Sequence, residues 1–172
     1  MRYAAGMVLV SAAVGLLSLP GRADEIDALI AQITRDADSD AARAARLVEA
    51  AKALEADGAA AVRILEKAVA CAERSAADAA GLQAGLDALK ALERKAPDRK
   101  AQWSRKRLDL CRLAYRAATN GTRPAVGVRL MRVLDELGER AAAAKDWATA
   151  AEAFSEAYRI ASAIARRRLY FE

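Results

Sequence analysis

Apolar positions along residues 24–172 recur at helical spacing almost without a break, and turn-forming residues cut the run into about seven segments. Ile26, Leu29, Ile30 and Ile33 share one face of a first helix that begins at Asp24 and reaches Arg35. The run Asp36-Ala37-Asp38-Ser39-Asp40 ends it, and a second helix near 40–56 carries Ala44, Leu47, Val48, Ala51 and Leu54. Asp57-Gly58 reads as a turn. A third helix near 59–74 presents Val62, Leu65, Val69 and Ala72, with Ile64 and Ala68 beside them. A fourth runs from about Asp78 to Ala96 and stops at Pro97. Asp98 is placed to cap a fifth, which reaches Thr119 before Asn120-Gly121, a C-cap signal. Thr122 and Pro124 read as N-cap and early-turn residues of a sixth helix to about Ala144. Lys145-Asp146 then makes a tight corner into a seventh.

Short connections between helices of similar length predict an all-α fold of successive antiparallel hairpins. Composition supports this. Hydrophobic residues make up 55% of the chain, largely alanine, with 5% aromatic residues and only 3 Pro and 9 Gly. Alanine favours helices, and the residues that favour strands are scarce. In the fifth helix Gln102, Arg105, Asp109, Arg112 and Arg116 form a narrow polar stripe. Ala101, Leu108, Cys111, Tyr115 and Ala118 form an apolar arc, which Trp103, Leu110, Ala114 and Ala117 extend. A helix apolar over more than half its circumference is expected to pack between neighbours.

Within 131–164, Leu134, Leu137 and Gly138, followed at the right distance by Ala150, Phe154 and Ala157, carry a recognisable pattern. The segment resembles a tetratricopeptide repeat, a helix–turn–helix unit of about 34 residues. Asp146-Trp147 fits the acidic-aromatic start of its second helix, whereas Ala141 and Ser162 depart from the usual Tyr and Pro. A degenerate copy lies at 42–75, where Ala61, Leu65 and Ala68 keep the second-helix spacing and Glu49 takes the glycine position. The resemblance implies hairpins stacked as a short solenoid that binds a protein or peptide, and it brings no catalytic residue. In such an arrangement Gly138 and Ala150 let two helices approach, while Leu134, Leu137 and Phe154 fill the space between repeats. A stacked array needs its last apolar face covered. After Arg166-Arg167-Arg168 the expected covers are Tyr170 and Phe171 folding back, a partner (including a second copy), or further chain.

Residues 1–23 read as a secretory signal: Arg2, an uncharged core from Met7 to Leu19, the Pro20-Gly21 break, and Gly21-Arg22-Ala23 as a cleavage site before Asp24. The expectation is an extracytoplasmic, periplasmic or secreted, helical domain of residues 24–172 with no membrane span once the signal is removed. The precursor carries +5, and loss of Arg2 and Arg22 leaves +3.

Charge and chemistry narrow the function classes. The chain has no His, which removes His-based triads, His general bases and His metal ligands. Asp36, Asp38 and Asp40 open like a calcium loop, but Ala41 and Leu47 stand where that loop needs Gly and Glu. Cys71 and Cys111 fall in separate helices, with a disulfide or two buried thiols both open. Residues 94–132 hold twelve Lys or Arg against Asp98 and Asp109, so Arg105, Arg112 and Arg116 are candidate polyanion contacts. Asp109 can pair with Arg105 and Arg112, and the acidic 24–60 region offers an internal complement. These readings predict a non-catalytic exported repeat protein with a protein or peptide partner, no nucleic-acid partner, and no cofactor or metal. A small carboxylate-dependent enzyme and a polyanion binder are the alternatives.

Overall fold

A computed structural model describes residues 23–54 and 58–171, with side-chain surroundings for 24–54 and 58–166. The signal-like segment, Asp57 of the expected turn, and the side chains of Tyr170 and Phe171 lie outside the described residues. All regular structure among the described residues is helical: α1 (Ala23–Thr34), α2 (Asp40–Ala53), α3 (Gly58–Arg74), α4 (Ala79–Lys95), α5 (Lys100–Ala117), α6 (Arg123–Ala143) and α7 (Trp147–Phe171). A short 3₁₀ turn, Pro97–Arg99, precedes α5. Two compact units divide within α5, between Lys106 and Arg107.

Local chemistry explains the boundaries. Ser39 caps α2 by accepting from Ala42 N–H at 3.1 Å, and Asp78 caps α4 by accepting from Ala80 N–H at 2.9 Å. Pro97 stops α4 and opens the 3₁₀ turn, so Asp98 sits inside that turn rather than at the expected cap. Thr122 also departs from expectation. It precedes α6 in a helical backbone conformation without a capping bond, and its hydroxyl instead meets that of Thr119 at 3.1 Å. Nor does Gly121 take a left-handed conformation; α5 ends earlier, at Ala117.

In the first unit α2, α3 and α4 pack on one another, and α1 packs on α2 and α3. Leu47, Ile64, Leu65, Leu82, Leu89 and Leu92 are fully buried, as are Ala44, Ala60, Ala61, Ala68, Ala72 and Ala88. Alanines at such positions let helices approach closely, and truncating one of the large residues costs about 2–5 kcal/mol. Arg74 at the end of α3 reaches Asp40 at the start of α2, so those helices are antiparallel. Glu66 meets Arg99, and Glu73, two turns on, meets Lys106; α3 and the start of α5 therefore run in the same direction. Arg63 of α3 also pairs with Asp27 of α1. Glu49, which the resemblance places at a glycine position, is exposed and paired with Lys52, and the buried small residues beside it are Ala50 and Ala51.

The second unit holds the end of α5 with α6 and α7. Its core includes Leu108, Leu110, Cys111, Ala114, Leu130, Leu134, Ala153 and Ile160. Gly127 on α6 is another close approach, where a Cβ would lie 3.1 Å from Tyr115 and 3.3 Å from Ile160.

Candidate functional site

The hairpin of α6 and α7 contains the strongest sequence pattern, and its geometry begins at the corner. Lys145 N–H donates to Ala142 O at 3.0 Å, and Asp146 N–H donates to Ala141 O at 2.9 Å. This double closure of a helix end requires a left-handed residue, and Lys145 supplies it with φ 59°. Asp146 then opens α7, its Oδ1 accepting from Thr149 N–H at 3.2 Å. The bonds from Thr149 hold the Asp146 carboxyl below its ordinary value.

The six residues of the repeat resemblance lie on the two helices that flank this corner. Leu134, Gly138, Ala150 and Ala157 are buried and Leu137 is half-buried. The Phe154 ring lies against Gly138, where a Cβ would come within 2.7 Å of it. Phe154 nevertheless remains 41% exposed, and it does not stand alone: Trp147 is 66% and Tyr158 74% exposed. At about 100° per residue these three share one line on α7 with Ala151, Ala161 and Ala165, all exposed. The buried residues Ala150, Ala153, Ala157 and Ile160 occupy the adjoining arc. Helix α7 thus presents two apolar faces, and α6 covers one of them. An uncovered, charge-free aromatic face suits a helix-in-groove or helix-on-helix contact.

The candidate polyanion residues are placed differently. Arg112 forms a two-pronged pair with Glu156 of α7, Nε to Oε1 at 3.0 Å, and Asp109 lies 3.9 Å away. The Glu156 pairing raises the Arg112 value further. Arg105 and Arg116 are exposed; Arg116 Nε donates to Arg112 O at 3.4 Å. Of the three candidate arginines on α5, Arg105 and Arg116 are exposed, whereas Arg112 is half-buried and taken up by Glu156.

Two residues carry roles that the spacing did not announce. Arg107, from the same basic stretch, is buried and pairs with Glu136 of α6. Trp103 is buried in the first unit with the Arg99 guanidinium 4.7 Å from its ring centre. A cleft of about 140 Å³ beside it is lined by Glu66, Val69, Gln102, Trp103 and Lys106. A second, of about 180 Å³, is lined by Tyr115, Arg123, Pro124, Ala163 and Ile164. Both are well below the several hundred Å³ usual for small-molecule sites.

Asp40 is engaged by Arg74 and Arg43 rather than gathered with Asp36 and Asp38, and among the described residues no group of three potential ligands could hold a metal. Cys71 and Cys111 are both buried free thiols, and burial pushes the Cys111 thiol up to about 11. No described helix is long and apolar enough to cross a membrane. No family model, curated protein or solved structure matches the chain.

Proposed function

We propose that the chain is an exported, non-catalytic helical-repeat protein whose C-terminal hairpin docks a protein partner along α7. The observation that carries this reading is the exposed face of Trp147, Phe154 and Tyr158 beside the buried face that α6 already covers. Leaving three aromatic rings in water sacrifices apolar burial that a partner helix would recover. The close approach at Gly138 supports a repeat-like hairpin here. So do the helix-to-helix ion pairs of the first unit, Asp27–Arg63, Asp40–Arg74, Glu66–Arg99 and Glu73–Lys106. They link residues 33–36 positions apart, close to the length of one helix–turn–helix unit. The absence of His and the small clefts favour binding over catalysis.

The test is native affinity purification of the exported chain from envelope extracts, with identification of what co-purifies. A stoichiometric protein, retained by the native sequence and lost from a Trp147→Ser, Tyr158→Ser variant, is expected. Recovery of neither a foreign stoichiometric protein nor an untagged copy of the chain itself, or equal recovery by the variant, overturns the reading.

A further inference from the structure

The exposed seam on α7 has a regular spacing. Trp147, Ala151, Phe154, Tyr158, Ala161 and Ala165 are separated alternately by four and three residues, the alternation by which two helices mesh in a coiled coil. We infer that this seam pairs with the same seam on a second copy of the chain, the two α7 helices running antiparallel. The inference rests on the docking reading above and names its partner.

Size along the seam selects this partner and this direction. With the helices reversed about residue 156, Trp147 of one copy lies opposite Ala165 of the other, Ala151 opposite Ala161, and Phe154 opposite Tyr158. Each large residue at one end meets a small one at the other, and the two middle rings stack. A parallel pair would set Trp147 against Trp147 and Ala165 against Ala165, with a collision at one end and a gap at the other. The seam itself carries no charge: Glu152 and Arg159, both exposed, lie about 140° and 120° round α7 from Trp147. The short residues Ala148, Ser155 and Ser162 stand between those two and the seam and leave the approach open. The aromatic surface available is roughly 350 Å² per copy, so the dimer belongs to the weak, concentration-dependent class.

Sedimentation of the exported chain across a concentration series up to about 0.5 mM tests this, with circular dichroism as the check on folding. The expected result is a mass that rises from one copy towards two. Ala161→Glu, and independently Ala165→Glu, place a charge on an exposed seam position and should leave a folded monomer throughout. A native chain that stays monomeric throughout overturns self-pairing, while recovery of a different stoichiometric protein on the same face would leave the docking reading standing. Dimerisation unaffected by either seam variant also overturns it.

Discussion

A Cβ on Gly138 would lie 2.7 Å from both Cε1 and Cζ of Phe154, so the aromatic ring fills the space that any larger residue at 138 needs. The two residues are one contact between α6 and α7: the glycine admits the ring, and the ring covers the glycine. Gly138→Ala therefore sets a gain of about 1 kcal/mol in helix propensity against an overpacking cost of about 1–3 kcal/mol. A net loss near 1 kcal/mol is expected in urea unfolding of dilute protein. With Phe154→Ala already present, the same substitution should stabilise by about 0.5–1 kcal/mol, because only the propensity term remains. The same sign in both backgrounds would show that the ring is not the cause.

The left-handed residue at the next corner is a lysine where a glycine would be at ease. Lys145 adopts φ 59° to close α6, and its Cβ is crowded in that conformation. Lys145→Gly should raise stability by about 1 kcal/mol, since the relieved strain exceeds the added freedom of the unfolded chain. Lys145→Val should lower it, a β-branched residue being less tolerant still. Thermal unfolding of the two variants beside the native chain gives both signs.

Helix positions were legible to within a few residues because their punctuation is local. Asp78, Pro97 and the Lys145-Asp146 corner act on the backbone within a turn of themselves. The same locality misleads where tertiary packing competes. Asn120-Gly121 has the composition of a left-handed cap, yet α5 ends at Ala117 and Gly121 is not left-handed. Arg107 and Arg112 look alike in a basic stretch, but their partners, Glu136 and Glu156, come from other helices and leave no mark in local spacing. The α7 seam was half visible. Phe154 belonged to the repeat pattern, whereas Tyr158 stood out only once α6 was seen to cover the neighbouring arc. Periodicity tells which residues share a face; it does not tell whether that face is covered.

Acid should loosen the first unit through Asp40. Hydrogen bonding to Arg74, 2.8 and 3.0 Å away, and then to Arg43, holds the Asp40 carboxyl below its ordinary value of 3.8. A group whose folded value is lowered binds its proton more readily when unfolded. Its contribution is therefore fully present above the ordinary value and is lost as pH falls through the lowered one. Asp40→Asn should reduce the melting temperature at neutral pH and make it fall less steeply below pH 4. An unchanged acid slope would mean that the Arg74 contact holds no protonation-linked stability.

The two thiols should be silent in the folded chain and appear together when it unfolds. Cys71 and Cys111 are buried and unbonded. Burial raises Cys111 from 9.0 to about 11, so near pH 8 its reactive thiolate is about a hundredfold scarcer than in an open thiol of ordinary value. A thiol reagent added to native protein should therefore react only at the slow rate set by unfolding. In denaturant without reductant, two thiols per chain should titrate at once. In an oxidising compartment two cysteines whose geometry allowed it would be joined. No free thiol on unfolding would show that the two cysteines had been joined, and a fast native reaction at either would show that its helix opens. Cys71→Ala with Cys111→Ala should then lower stability by about 1–3 kcal/mol through the two small cavities it leaves, as read from urea unfolding.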